Sequence, residues 1–265
     1  MLVETDIFGV THDKVQMAID RIKCFEPPEG YYVAFSGGKD SVVILDLVKR
    51  SGVKFDAHYN ITGIDPPELY YFIRDEHPEV KRHKIELTMW ALIVKKMMPP
   101  TRVVRYCCAY LKERGGKGRI VVTGIRWAES NRRSKRKMNE ACFKDARTFY
   151  LNPIIDWSDN DVWEYIKGNN VQYCKLYDEG FKRLGCIGCD MAGRKGKLKQ
   201  FARWPRYEKK YRKAFDVAAK LNIERLGDKD LNGGTRWVDG EAMFKWWMDD
   251  NRYTKEDPDQ TVMFE

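Results

Sequence analysis

The sequence predicts an α/β protein: a parallel sheet in three layers, with a helical, basic C-terminal extension. Three observations carry this. Short apolar runs alternate with helical stretches from His12 to Ile166, the pattern of a parallel sheet covered on both faces. The run Tyr31-Tyr32-Val33-Ala34-Phe35 leads straight into Ser36-Gly37-Gly38-Lys39-Asp40-Ser41, which opens a helix. From about Lys195 onward the pattern is helical and rich in Lys and Arg.

The elements follow in order. His12 to Cys24 carries Val15, Ile19 and Ile22 at helical spacing. Pro27-Pro28-Glu29-Gly30 stops that helix and turns into the first core strand, Tyr31–Phe35. Val42 to Arg50 reads as a helix and Val53 to Asn60 as a second strand. Pro67 suits the first turn of a helix running through Arg74. Lys84-Ile85-Glu86-Leu87 reads as a short third strand, and Trp90 to Met98 as a helix stopped by Pro99-Pro100. Cys107 to Arg114 is helical and ends at Gly115-Gly116. Arg119 to Gly124 is the next strand and Phe149 to Asn152 a further one. Ser158 caps a helix through Ile166, with an acidic first turn.

Composition limits the function classes. A chain of 265 residues, 43% of them hydrophobic, is globular rather than disordered. No apolar run approaches the roughly 20 residues of a membrane span. The N-terminus is acidic and lacks a signal-peptide pattern, so a cytoplasmic location with no membrane partner is expected. The 48 basic residues outnumber the 39 acidic ones, leaving a net charge of +9 that favours an anionic partner. Seven cysteines, an odd number, argue against a disulfide framework, and their paired and CxxC spacing argues for metal.

The chemistry concentrates in two places. In Ser36–Ser41, Gly37 and Gly38 lack Cβ atoms, so their amides can approach a phosphate closely. The helix start adds free N–H donors and positive potential. Ser36 and Ser41 add hydroxyls, and Lys39 adds a mobile cation. A bare Gly-Gly would read as a tight turn with a Ser cap, but the preceding strand, both serines and the Lys-Asp pair favour an anion nest. Gly124-Ile125-Arg126-Trp127-Ala128-Glu129-Ser130 follows its strand directly. Gly124 allows close backbone approach, and Arg126 offers a planar donor fork. The second place is Cys107-Cys108 with Cys186-Ile187-Gly188-Cys189. Four thiolates suit either zinc or an iron–sulfur cluster.

Ser36–Ser41 resembles the PP-loop of the N-type ATP pyrophosphatases. Together with Gly124–Ser130, Asn152–Ser158 and Leu176–Cys186, it resembles the branch that holds the phosphoadenylyl-sulfate (PAPS) reductases. The resemblance covers about residues 30 to 195. It implies a Rossmann-like fold of the adenine nucleotide alpha hydrolase type. It also implies ATP and Mg2+ binding at Ser36, Gly37, Gly38, Lys39, Asp40, Ser41, Gly124 and Arg126, with Lys39, Asp40 and Arg126 catalytic. ATP would give AMP and pyrophosphate while an acceptor is adenylated, in sulfur transfer or nucleic-acid modification. The Cys-Cys plus CxxC pattern resembles the [4Fe–4S] site of adenylyl-sulfate reductases and of the DNA-phosphorothioation subunit. That implies Cys107, Cys108, Cys186 and Cys189 as cluster ligands, with zinc the less favoured occupant.

Two departures favour ATP use over sulfonucleotide reduction. The sequence has no cysteine after Cys189 to serve as the reductases' C-terminal thiol, and its loop carries Lys39. A reductase of atypical form and a non-catalytic binding protein stay open as alternatives. Cys24, Cys142 and Cys174 fall outside the quartet, and Cys142 is the best of them as a reactive thiol. The basic runs Arg132–Lys137 and Arg194–Arg206 make tRNA or DNA an expected partner, the second by interleaving aromatics with cations. A homo-oligomer or a sulfur-donor protein is a further expected partner. The expected division is a nucleotide-binding domain over 1–193, including the cysteine site, and a helical basic extension over 194–265.

Overall fold

Three consecutive buried residues, Tyr31, Tyr32 and Val33, require a strand covered on both faces, because side chains alternate across a sheet. The computed structural model describes residues 2–5, 9–143, 145–226 and 237–253 and contains that strand at its centre. The chain begins with a small hairpin of β1 (Val3–Thr5) and β2 (Thr11–Asp13), followed by α1 (Lys14–Cys24) and β3 (Tyr31–Ala34). Then come α2 (Lys39–Ser51), β4 (Phe55–Asn60), α3 (Pro67–Glu76), β5 (Lys81–His83), α4 (Met89–Lys96) and α5 (Tyr106–Leu111). They are followed by β6 (Ile120–Val122), β7 (Asn139–Cys142), β8 (Asp145–Leu151) and α6 (Asp159–Gly168). The last helices are α7 (Gly193–Arg203), α8 (Pro205–Leu226) and α9 (Gly240–Met248).

The main sheet has the order β5-β4-β3-β6-β8-β7. All neighbours are parallel except β7, which runs antiparallel to β8 at the edge. From β3 the chain adds β4 and β5 on one side, then returns to add β6 and β8 on the other. The direction of progress therefore reverses between β3 and β6. Open parallel sheets bind ligands at such a reversal, beyond the C-terminal strand ends. The glycine loops after β3 and β6 occupy that position.

One local reading is corrected, and one strand was not read from the sequence. The third strand is Lys81–His83, not 84–87, because register pairs His58 with Lys81 and Asn60 with His83. The alternation of Ile85 and Leu87 is not a strand. The strand β7 has no sequence signature: Asn-Glu-Ala-Cys is neither aromatic nor β-branched and is strand only by pairing with β8.

The described residues group into two compact units. The first comprises Met1–Ile61, Asp65–Lys84 and Arg114–Gly185, and holds the main sheet. The second comprises Thr62–Ile64, Ile85–Glu113 and Cys186–Glu265. This grouping joins the four cysteines to the C-terminal helices, whereas the division at 193/194 joins them to the nucleotide loop. Part of the expected extension lies outside the described residues.

In the first unit α2 is buried on nearly every side through Val42, Val43, Ile44, Leu45, Leu47 and Val48. It packs on α1 and α6. Asp13 caps α1 by accepting from the Val15 and Gln16 amides at 2.9 and 3.1 Å. Ser158 and Asp161 form a capping box at α6, as Ser158 leads one to expect.

The second unit has an aromatic core of Phe201, Tyr211, Phe215, Phe244 and Trp247. Through it runs a buried ion pair. Lys197, fully buried, donates from Nζ to Asp190 Oδ1 at 3.0 Å and to the Trp247 carbonyl, and lies 4.3 Å from the Trp247 ring centroid. Asp190 also accepts from the Arg102 amide at 2.9 Å. Removing one member of a buried pair strands the other charge. Lys197→Met is therefore expected to destabilise the protein by about 3–5 kcal/mol in denaturant unfolding. Adding Asp190→Asn to it should restore part of the loss.

Candidate functional site

The phosphate loop is shaped by two glycines with different duties. Gly37 has φ +70°, and a Cβ there would meet Ile73 and Leu69 of α3 at 2.8 Å. Gly38 is extended and serves as the N-cap of α2. Ser41 Oγ donates to the Gly38 carbonyl at 2.8 Å and accepts from the Ser36 amide at 3.3 Å, which closes the loop. Among the described residues the amides of Gly37, Gly38 and Asp40 find no backbone or side-chain acceptor. Gly124 approaches from β6: a Cβ there would fall 2.9 Å from Asp40 Cβ. Only glycine fits.

Four charged side chains surround the loop. Lys39, nearly buried, places Nζ 3.3 Å from Asp40 Oδ2 and 3.2 Å from Asp159 Oδ1. Arg126 is 1% exposed, so each of its donors needs a partner. Its Nε donates to Asp40 at 2.7 Å, one terminal nitrogen to the Trp157 carbonyl at 3.1 Å, and the other to Asp159. The fork expected to face phosphate is thus occupied by protein acceptors. Asp159 remains 69% exposed. Partial burial raises its pKa, but the Arg126 hydrogen bond and the Lys39 charge outweigh this and hold it below the ordinary carboxylate range.

Sequence reasoning missed Asp159, reading it as a helix-dipole residue. The available signal was redundancy: Asp161 alone completes the cap and also pairs with Lys14 at 2.9 Å. Asp159 is then spare.

The cysteine quartet lies within the second unit. Cys107 and Cys108 sit on α5, and Cys186 to Cys189 form a turn closed by the Cys189 amide on the Cys186 carbonyl at 3.3 Å. Gly188 has φ +73°, and a Cβ would strike Tyr211 at 2.6 Å. The Gly188 amide donates to Gln200 Oε1 at 2.8 Å, and Tyr211 donates to the Ile187 carbonyl at 2.9 Å. The turn is therefore fixed by protein contacts. The Cys107 hydrogen bond lowers the Cys108 pKa, and Arg105, donating to its sulfur at 3.3 Å, adds to the effect against burial. The same hydrogen bond, burial and the charges of Cys108, Cys186 and Cys189 raise Cys107. Cys107 thus feels the other three sulfurs. Among the described residues no three His, Cys, Asp or Glu side chains are gathered as for a single ion.

The remaining candidates lie apart. Cys24 is exposed, Cys142 half-buried at the end of β7, and Cys174 buried. In the basic run, Arg133 pairs with Glu129 and Arg136 with Glu140, while Arg132, Lys135 and Lys137 are exposed. In Arg194–Arg206, Phe201 and Trp204 are buried, as is Lys197. Those two rings are core, not stacking platforms. Among the described residues no helix is long and apolar enough to cross a membrane.

This geometry has relatives. Residues 30–192 match the phosphoadenosine phosphosulfate reductase domain, and the chain belongs to that family. It is 31% identical over 231 residues to an uncharacterised protein of Methanocaldococcus jannaschii, covering 81% of this chain and 45% of that one. It is 30% identical to an adenosine 5′-phosphosulfate reductase of Oceanobacillus iheyensis, over 59% of this chain and 69% of that protein. A probable FAD synthase of Schizosaccharomyces pombe is 28% identical over 60% of each chain. The chain spans about half the length of the first two curated relatives it matches, both from Methanocaldococcus jannaschii. The fold matches a PAPS reductase from Candida auris with a TM-score of 0.50 and 20% identity, over 66% of this chain and 88% of that one.

The lowered pKa of Asp159 has a consequence for stability. A group whose folded pKa lies below its unfolded value stabilises above the unfolded pKa, about 4 for Asp, and loses that contribution as pH falls through the folded value. Asp159→Asn should be less stable than wild type at neutral pH. The gap should close on acidification below about pH 4, measured as denaturant midpoints across pH.

Proposed function

We propose that this protein cleaves ATP between the α- and β-phosphates, releasing pyrophosphate and passing AMP to an acceptor. The observation that carries the reading is the loop at the sheet's reversal point, where unpaired amides of Gly37, Gly38 and Asp40 stand beside Lys39. The amides seat phosphate oxygens, and Lys39 turns from its carboxylates to the arriving negative charge. The acceptor's nucleophile attacks the α-phosphorus and the bond to the bridging oxygen breaks. The electron pair leaves with pyrophosphate, where amides and Lys39 meet the developing charge. Arg126 positions rather than binds: it holds Asp40 and Asp159 in place. Those two carboxylates would hold Mg2+, since Asp159 is open to solvent; magnesium when bound shields the triphosphate charge.

The quartet Cys107, Cys108, Cys186 and Cys189 supplies the donor chemistry of a [4Fe–4S] cluster, four soft sulfur ligands of which Cys107 feels the other three and Cys108 stands beside Arg105. Such a cluster supplies a redox or acceptor-positioning centre. The exposed Arg132, Lys135 and Lys137 support an anionic acceptor, of which tRNA and DNA are examples. A second reading, a sulfonucleotide reductase of atypical form, draws on the identity to the Oceanobacillus iheyensis reductase. Sulfite release from adenylyl sulfate would identify it.

Two experiments test the proposal. Lys39→Ala and Ser36→Ala should each weaken ATP binding by about 1.5–3 kcal/mol in calorimetry, the scale of a charged hydrogen bond. Wild type incubated with ATP and an acceptor panel should release pyrophosphate in an amount equal to the AMP transferred to the acceptor, and unchanged ATP affinity in both variants would refute the loop assignment. Separately, protein purified without oxygen should be brown with about four irons per chain, and Cys107→Ser should lose them. A colourless preparation with stoichiometric zinc would replace the cluster.

A further inference from the structure

Tyr177 ends the 3-10 turn Lys175–Tyr177. Its ring packs edge-on against Trp163, with centroids 5.1 Å apart. Its hydroxyl oxygen accepts from the Lys39 amide at 2.8 Å. The oxygen lies 3.6 Å from where a Cβ on Gly38 would stand, directly over the phosphate loop. A phenol carries one proton besides its lone pairs. With the Lys39 amide on the oxygen, the hydroxyl proton is left to be donated. Among the described residues no acceptor takes that proton. Burial keeps the phenol protonated by raising its pKa, and the nearby Asp40 charge adds to this.

The proton therefore joins a convergent set of donors. The Gly37, Gly38 and Asp40 amides are unpaired beside it, and the ammonium of Lys39 is close by. What such a set lacks is an anionic oxygen. We infer that Tyr177 is a ligand-binding residue of the phosphate loop, its hydroxyl donating a hydrogen bond to an oxygen of a bound polyphosphate. This rests on reading the loop as a phosphate site.

The opposite geometry would make the phenol an occupant that phosphate must evict from the Lys39 amide. The two differ in sign. Tyr177→Phe keeps the ring against Trp163 and removes only the hydroxyl. The probe is inorganic pyrophosphate with magnesium, titrated into the full chain by calorimetry and followed by tryptophan fluorescence. A melting curve checks that the variant folds. The expected result is an affinity about tenfold or more weaker than wild type, the loss of one hydrogen bond to a charged group. Equal or tighter binding by Tyr177→Phe would overturn the inference. If Tyr177→Phe does not fold, Tyr177→His, which keeps a ring donor, is expected to retain weakened binding, and tighter binding there overturns it equally. Wild type that binds neither pyrophosphate nor ATP would overturn the phosphate-site reading as well, which separates the two failures.

Discussion

A guanidinium without water sets the terms of this molecule's first unit. Arg126 is buried to 1% exposure, and a buried charge is tolerated only when paired and hydrogen-bonded. Its partners come from three separate places: Asp40 at the start of α2, the Trp157 carbonyl before α6, and Asp159 in the first turn of α6. One side chain thereby fixes the loop after β6 to the helix after β3 and to the segment after β8. The loop's shape follows from that requirement as much as from its glycines. Gly124 must be glycine because Arg126, two residues later, draws the chain against Asp40.

The same arrangement balances charge around Lys39. Two carboxylates face two cations, so the network is satisfied internally while the amides of Gly37, Gly38 and Asp40 are not. A ligand therefore meets preorganised donors and one cation that can change partners. The second unit applies a similar device to different chemistry. Asp190 follows Cys189 directly and is held by Lys197 and by the Arg102 amide, while Tyr211 and Gln200 hold Ile187 and Gly188. The CxxC turn is fixed by residues that are not themselves sulfur ligands.

Legibility in the sequence followed range. The loop Ser36–Ser41, the Gly124–Arg126 pair and the cysteine spacing were readable because each is a short word whose chemistry is local. The buried strand Tyr31–Val33 was readable from its apolar run. Asp159 was not, because its partners lie 33 and 120 positions away in number and its own turn offers a local explanation. Lys197 falls in the basic run Arg194–Arg206, yet its charge is spent on Asp190 inside an aromatic core. The misplaced third strand shows the same limit: Lys-Arg-His has no strand pattern, and only hydrogen bonding to β4 defines it.

The two edges of the sheet carry a consequence for how molecules of this protein meet. On one side stands β5, three residues long and entirely Lys, Arg and His, all exposed. On the other stands β7, four residues long, with a break in register between Ala141 and Cys142. Short, charged or irregular edges are poor templates for adding strands from another chain. Edge-to-edge growth into larger sheets is therefore disfavoured at both ends.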